Sequence, residues 1–440
     1  MNVGVASADI TPSVGSELSG FAARVQPSTG MLDPLRVRAL WLEEGGLRLL
    51  WLHCDLIGFS EEIVAEVRTW AKNEFELMES EVLLSATHTH AGPATIHLEG
   101  AGEYDRCYIG YLHEALKLAA RLAISSPEPC TLLTTESRFD LAVHRTGPGT
   151  RHVDNRIQIV GFRRGDGSFA AIVANYAIHP VALGYENREI SGDLHGWAAS
   201  QAAFRIKGKP EVFLTNGACG NLNPPASNVP WTQVQAWGTG LASVIVEALS
   251  RAVSCSRQDF DVARAQCVLP LDPLNEEQLD SFVTRTRANL PSSAFGEKLG
   301  SAVLRWREVQ QDAIRKGTSA LTRTAEIHAV RFGDIVLVGL NAEILSMFND
   351  WLRQKCGMEK IAVVGYANGD MGYICPHAAY ADGGYEVDMA HVFYGGWRLA
   401  PGALEMLASE AAALVRSHLL QERDPNPQAS RSLPHASRPL

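Results

Sequence analysis

Runs of strand length that consist almost wholly of apolar residues recur along the chain and limit its fold more than any other feature. Strands without alternating polarity are usually covered on both faces, and helical patterns lie between them. The predicted strands are 48–55, 81–87, 157–162, 169–177, 211–216, 335–340 and 360–366, and the predicted helices are 60–77, 104–124, 194–206, 231–252 and 401–420. Ser60, followed by two glutamates, is a typical helix start. We therefore predict an α/β fold with mixed β-sheets flanked by helices.

Nothing in residues 1–420 resembles a linker between domains, because no stretch is rich in proline, serine and glycine. We predict one domain over this range. The more polar, helix-like stretch 272–320 is expected to lie outside the main sheet, as a lid or as an appendage. Residues 421–440 contain too few apolar residues to pack, so they are expected to form a disordered tail.

The formal net charge of the 440-residue chain is -10, which argues against a surface that binds nucleic-acid phosphates. No apolar run reaches the roughly 20 residues that span a bilayer, so no transmembrane segment is predicted. The first residues lack the charged and apolar regions of a signal peptide, and we expect a cytoplasmic location. The eight cysteines form no CxxC pair, so neither a thiolate zinc site nor a disulfide framework is indicated. The oligomeric state stays open.

The most suggestive motif is Ser85-Ala-Thr-His88-Thr-His90-Ala-Gly-Pro93, in which an apolar strand ends in two histidines and a turn. Side chains alternate along a strand, so His88 and His90 are expected to project on the same face. The two imidazoles can then reach one metal ion or one substrate. A pair of hydrogen-bonded surface histidines is the alternative.

Other polar residues also follow apolar strands. His179 precedes Pro180 at a strand end, and this second histidine favours a cleft shared with the first pair. The glycine-rich segment Asn216–Asn223 follows another strand, and locally it is a tight turn. Glu343 follows the very apolar strand 335–340. It is either a buried carboxylate that needs a partner or the first residue of a helix.

In their order along the chain these segments resemble the neutral/alkaline non-lysosomal ceramidase family. The resemblance includes Ala-Asp9-Ile-Thr-Pro, the Ser-Ala-Thr-His-Thr-His-x-Gly-Pro signature, Arg145 after a histidine, His179-Pro, Ser-Gly-Asp193, Gly-Ala-Cys-Gly-Asn-Leu-Asn-Pro, Glu343 and Tyr373. It covers roughly residues 1–400, and the histidine signature is its specific part. The fold it implies is that of the N-terminal domain of a ceramidase.

The resemblance also implies a site. Its zinc ligands would be His88, His179, Glu343 and Tyr373. The residues implied in catalysis are His90, Arg145 and Tyr385. Imidazoles and a carboxylate suit zinc, which can lower the pKa of water and polarise a carbonyl group.

Two departures from the family concern the substrate. Asn223 stands where ceramidases carry a serine, and the chain lacks the residues for their carboxy-terminal β-sandwich. Together with the expected cytoplasmic location, these departures point away from a membrane sphingolipid. We predict a zinc-dependent amidohydrolase that cleaves a linear amide (N-acyl) bond of a small soluble substrate. An esterase or lactonase, a true ceramidase and a catalytically silent metal-containing binding protein are the alternatives.

Overall fold

The computed structural model describes residues 1–145, 152–317 and 321–420. Its strands are β1 Asn2–Asp9, β2 Gly30–Met31, β3 Arg36–Glu44, β4 Leu47–Cys54, β5 Val82–Ala86, β6 Glu128–Arg138, β7 Val143–His144, β8 Arg156–Arg164, β9 Phe169–Tyr176, β10 Glu189–Ile190, β11 Glu211–Asn216, β12 Leu222–Asn223, β13 Val253–Ser254, β14 Phe260–Pro270, β15 Thr322–Phe332, β16 Ile335–Leu340, β17 Glu343–Ile344, β18 Ile361–Val364 and β19 Tyr373–Ile374. The expected tail 421–440 lies outside the described residues.

The helices flank these strands. They are α1 Glu61–Phe75, α2 Arg106–Ser125, α3 Asp193–Arg205, α4 Trp231–Ser250, α5 Glu276–Ala288, α6 Ala294–Arg315, α7 Met347–Cys356, α8 Ala379–Asp382, α9 Tyr385–Asp388, α10 Ala390–Phe393 and α11 Ala403–Leu414, with a 3₁₀ turn at Glu79–Glu81 and a π-helical turn at Val415–Leu419. The predicted start of α1 is confirmed, because the Ser60 side chain accepts a hydrogen bond from the amide of Ile63. The predicted α/β fold is confirmed.

One large sheet has the strand order β11-β9-β8-β6-β1-β3-β4-β5, with β13 paired to β6. The sheet is strongly curved, since its two edge strands β5 and β11 come together. The side-chain amide of Asn216, at the end of β11, donates to the carbonyl of Thr87, just after β5, over 3.0 Å. Curvature therefore brings together segments that are far apart in the strand order.

A smaller sheet, β14-β15-β16-β18, packs against one face of the large sheet. Trp51 of β4 stacks on Phe332 of β15 at this interface, and both are fully buried. Helices α1 to α4 cover the other face of the large sheet, and α7 and α11 cover the other face of the small one. This packing explains the continuous apolar runs, because most strands are covered on both faces.

A bridging segment, Gly365–Asn368, follows β18 and joins the two sheets. The amide of Gly365 donates to the carbonyl of Asn216, and the amide of Asn368 donates to the carbonyl of Leu84. The segment thereby connects the small sheet to both edge strands of the large one. The three histidines predicted to belong to the site, His88, His90 and His179, lie close to this junction.

Helices α5 and α6 lie outside both sheets, in the stretch expected to be a lid or an appendage. Helix α6 is attached to the body of the protein: Lys298 donates to the carbonyl of Arg24, and Arg305 pairs with Glu99 at 2.7 Å. None of the helices in the described residues has the length and apolar character needed to cross a bilayer.

A buried ion-pair cluster around Glu326 holds α1, β14 and the bridging segment against β15. The carboxylate accepts hydrogen bonds from Arg68, Arg264 and Asn368. Burial raises the pKa of Glu326, but the two guanidinium groups outweigh it and lower the pKa from 4.5 to about 2. The charge of Glu326 therefore stabilises the folded state above about pH 4.5, and this contribution is lost as the pH falls towards 2.

We expect Glu326→Gln to lower the free energy of unfolding at pH 7 by about 3–5 kcal/mol, because the buried guanidinium group of Arg68 loses its counter-charge. The difference from the wild type should shrink between pH 4.5 and pH 2. Urea unfolding followed by tryptophan fluorescence measures both effects. Glu359→Gln, which removes an exposed pair with Arg156, is the control and should cost no more than about 1 kcal/mol. A Glu326→Gln loss as small as that of the control would contradict the prediction.

Candidate active site

His88 lies just beyond the end of β5, and its backbone is in the left-handed region, with φ of 68°. The predicted strand 81–87 ends at Ala86, so the two histidines lie beyond the strand and its alternation is not the reason that they meet. Their side chains nevertheless come together as expected, with the two Nε2 atoms 3.1 Å apart. The imidazole of His88 stacks on the ring of Tyr366, with 3.8 Å between ring centroids. Its Nδ1 donates to the carbonyl of Ile57 at 2.6 Å. These two contacts fix the ring and direct Nε2 into the site.

His179 follows β9, which ends at Tyr176. Its Nδ1 donates to the carbonyl of Cys219 at 2.8 Å, and its backbone amide donates to the carbonyl of Leu222. The glycine-rich turn that contains Cys219 therefore orients the imidazole of His179. His88 and His179 meet because the large sheet curves, and their ring centroids are 5.0 Å apart.

Glu343 and Tyr373 come from the other side of the site, beyond the small sheet. The short parallel strands β17 and β19 place them in register with each other. Glu343 does not start a helix, the local alternative considered above, because α7 begins at Met347. Its side chain is only 3% exposed. The structure thus brings all four predicted ligands to one place.

The donor set fits a metal ion. Nδ1 of both His88 and His179 donates to a carbonyl, so Nε2 of each ring faces Oε2 of Glu343, over 3.6 Å and 3.1 Å. Although burial lowers the pKa of His179, the neighbouring Cys219 and Glu343 raise it to about 9. Two imidazoles and a carboxylate are typical zinc donors, and a carbonyl partner on Nδ1 is typical of metal-binding histidines. Burial lowers the pKa of His88 to about 3, which keeps its ring neutral.

His90 joins the same cluster with its Nε2 3.1 Å from Nε2 of His88. The nearest ligand atoms of His88, His90 and His179 all lie within 4.8 Å of one another, so this group can hold a metal ion. His90 differs from the other two in one respect: its Nδ1 is buried and has no hydrogen-bond partner among residues 1–145, 152–317 and 321–420. Burial and the neighbouring His88 lower the pKa of His90 well below its usual range.

The position of His90 is held by its surroundings. Arg24 donates to the backbone carbonyl of His90 at 2.8 Å, and the ring of Phe21 contacts the imidazole edge to face. Gly20 packs directly on the ring, since a Cβ at this position would lie 2.4 Å from Nδ1. The chain around Gly20 therefore leaves one orientation for this imidazole.

Arg145 reaches the site from the opposite wall. Its guanidinium group donates to Tyr373 at 2.5 Å, to Glu386 at 3.0 Å and to Asn223 at 3.4 Å. The side-chain oxygen of Asn223 thus accepts from one N–H group of the guanidinium of Arg145. Tyr385, 47% exposed, contacts the ring of Tyr373 edge to face. Both Arg145 and Tyr385 line the same cavity as the histidines.

Sequence reasoning missed two tyrosines and an aspartate at the base of the site. Tyr394 donates to both Glu343, at 2.5 Å, and Asp370, at 3.1 Å, while Tyr366 donates to the other oxygen of Glu343 at 3.3 Å. Although burial raises the pKa of Glu343, His88 and the other neighbours lower it to about 2. Tyr366 and Asp370 follow an apolar strand, which is a usable signal, whereas nothing in the pattern around Tyr394 indicates a role.

The site lies at the bottom of a cavity of about 310 Å³. Its lining combines polar side chains, among them His88, His90 and Arg145, with apolar ones such as Ile57 and Leu98. A cavity of this size is at the lower end of the range for small-molecule sites. The arrangement is suited to binding a polar group beside the imidazoles with an apolar group next to it.

The comparisons with known proteins concern both sequence and structure. Residues 1–120 match the family model described as neutral/alkaline non-lysosomal ceramidase, N-terminal. The chain is 25% identical over 248 residues to the neutral ceramidase of Pseudomonas aeruginosa and 24% identical over 221 residues to neutral ceramidase B of Dictyostelium discoideum. These matches span 50% and 45% of this chain, but only 36% and 31% of the relatives.

Solved ceramidase structures match over a greater length. The neutral ceramidase of Pseudomonas aeruginosa has a TM-score of 0.70 at 17% identity, covering 94% of this chain and 74% of that one. A ceramidase complexed with C2 has a TM-score of 0.72 at 16% identity, covering 98% and 78%. At these identities the likeness shows the fold alone. Family model, curated relatives and fold together confirm the resemblance: the chain is similar to the neutral/alkaline non-lysosomal ceramidases in the sequence of residues 1–120 and in its fold.

Proposed function

We propose that the chain is a zinc-dependent hydrolase that cleaves a linear amide (N-acyl) bond of a small soluble substrate. The observation that carries the proposal is the convergence of Nε2 of His88 and His179 on the buried carboxylate of Glu343 at the bottom of a cavity. The proposed ligands are these three residues and Tyr373. The relatives named above are ceramidases, whose name implies hydrolysis of an amide.

A zinc ion at these residues would supply Lewis acidity for the carbonyl oxygen and lower the pKa of a water molecule. His90 is proposed for proton transfer to the leaving nitrogen. Among the described residues its Nδ1 has no hydrogen-bond partner, so no such bond fixes which nitrogen of the ring carries the proton. His88 and His179 lack this freedom because their Nδ1 atoms are bound to carbonyls.

Arg145 and Tyr385 are proposed to stabilise the negative charge that develops on the carbonyl oxygen. The guanidinium group stays charged, and Tyr373 and Glu386 fix its orientation, so its N–H groups need no reorganisation during the reaction. Tyr385 lines the cavity beside Tyr373 and offers its hydroxyl as a further donor.

A panel of N-acyl amines and their matched esters, tested on protein of known zinc content, examines the proposal. We expect one zinc per chain and turnover of amides. Exclusive turnover of esters would instead indicate an esterase or lactonase, and full zinc loading without any turnover would indicate a silent binding protein. Including a long-chain ceramide in the panel tests the remaining alternative.

The packing of Gly20 on His90 gives a sharper prediction for the role of that ring. Gly20→Ala should displace the imidazole and lower kcat by about 100-fold, since an error of about 1 Å has effects of that size. Gly15→Ala is the matched control, because Gly15 also has a positive φ but has no atom near the added Cβ. The control should leave kcat unchanged. Equal kcat for both variants would contradict this role of the glycine.

A further inference from the structure

Six of the apolar residues that line the cavity are called the acyl wall here: Ala22, Ile57, Leu98, Ala101, Phe295 and Phe393. Three of its members, Ile57, Leu98 and Ala101, pack in one cluster with Ala22 against Tyr394. Because Tyr394 donates to Glu343, the wall begins directly beside the proposed metal ligands. An apolar group attached to a carbonyl at the site would therefore lie along it.

Phe295 is the member of the wall that comes from outside the two sheets. It stands in the first turn of α6, which is capped by the hydroxyl of Ser293. Besides the contacts of Lys298 and Arg305 described above, the indole of Trp306 donates to the carbonyl of Gly396 at 2.9 Å. These contacts along α6 hold its first turn in place, so Phe295 is a fixed part of the cavity.

The volume limits what this wall can accommodate. At about 30 Å³ for a group of the size of a water molecule, the cavity of about 310 Å³ takes about ten such groups. After the three heavy atoms of the amide itself, roughly seven remain. An amide with two long hydrocarbon chains exceeds this space many times over.

We infer that Phe295 sets the upper length of the acyl group, so that the substrate is an amide of a short, linear, apolar acid of up to about eight carbons. This inference rests on the proposed hydrolysis at the histidine cluster. Within the stretch 272–320 it assigns the first turn of α6 to the wall of the site. It also separates substrate size from the metal site, because Phe295 makes no contact with the proposed ligands in the hydrogen bonds and ring pairs of the described residues.

The test measures binding of straight-chain carboxylates, from acetate to dodecanoate, by calorimetry on the full chain. These acids are the acyl products of the proposed reaction, and their binding is a readout independent of turnover. Each added methylene buried on the wall should tighten binding about fourfold. We expect this gain to stop at about eight carbons in the wild type. The chain length at which the gain stops is called the break. Binding that strengthens without a break up to dodecanoate, or no dependence on length, overturns the inference.

Two substitutions of Phe295 move the break in opposite directions. Phe295→Ala should shift it to acids about three carbons longer, and Phe295→Trp should shift it to shorter ones. Phe282→Ala is the matched control: this ring lies on α5 of the same helix pair, packs on Trp306 and is not part of the cavity lining. Its break should equal that of the wild type. An unmoved break in both Phe295 variants overturns the inference.

The outcomes also separate this inference from the proposed function. A break that moves with Phe295 supports the inference even if the panel of amides and esters shows no turnover, in which case only the proposed function fails. Amide turnover together with a break that does not move leaves the function in place and removes Phe295 as the residue that limits length.

Discussion

Replacing His88 with alanine is expected to remove both bound zinc and hydrolytic activity, whereas His90→Ala keeps the zinc and loses the activity. The Nε2 of His88 faces the carboxylate of Glu343 and its Nδ1 is fixed by a carbonyl, as suits a ligand. Nδ1 of His90 has no hydrogen-bond partner in the described part of the chain, so no carbonyl fixes the nitrogen that carries its proton. Zinc affinity in His88→Ala should fall by more than the roughly 10–100-fold seen when only a hydrogen-bond partner of a ligand is lost.

The kcat of His90→Ala should fall by about 10²–10⁴-fold, the usual contribution of a general acid or base. Zinc per chain is measured by elemental analysis after dialysis against a buffered chelator, in parallel with kcat. His97→Ala, which alters an exposed histidine, is the control and should resemble the wild type in both measurements. Equal loss of zinc in His88→Ala and His90→Ala would refute the division of roles and make His90 a ligand.

The second large effect is expected at Arg145. Arg145→Met should lower kcat by about 10²–10³-fold at unchanged zinc content, because a fixed donor to the developing oxyanion is lost. It also leaves the carboxylate of Glu386, whose side chain is 7% exposed, without its partner. We therefore expect a loss of stability of about 3–5 kcal/mol as well.

A double variant separates these two consequences. Arg145→Met with Glu386→Gln removes the unpaired charge, so its thermal stability should return towards that of the wild type while kcat stays low. Melting curves and kcat at saturating substrate are compared for the single and double variants. Recovery of kcat along with stability would show that Arg145 acts through the fold alone.

The sequence predicted the elements of the site better than the way in which they meet. His88, His179 and Glu343 each follow an apolar strand, and such positions are recognisable because strand and turn differ in composition. Their convergence depends on the curvature of the large sheet, which no local pattern encodes. The same holds for the left-handed backbone of His88, which is maintained by contacts with Tyr366 and Ile57 from distant parts of the chain.

Residues that act through backbone carbonyls or other side chains were the hardest to predict. Arg24 is buried and donates to several carbonyls, including that of His90, but in the sequence it is one arginine in an irregular segment. Tyr394 likewise lies between short helices and glycines. In both cases the partners are distant in sequence, so only the folded chain reveals the role.

The bridging segment Gly365–Asn368 also bears on how the protein behaves in solution. A sheet with open edges presents unpaired amides and carbonyls to other chains, and such edges promote aggregation. Here the segment occupies the ends of both edge strands, at Leu84 of β5 and Asn216 of β11. The backbone groups that the segment pairs at this end of the sheet, next to the cavity, are therefore not available to a strand of another chain.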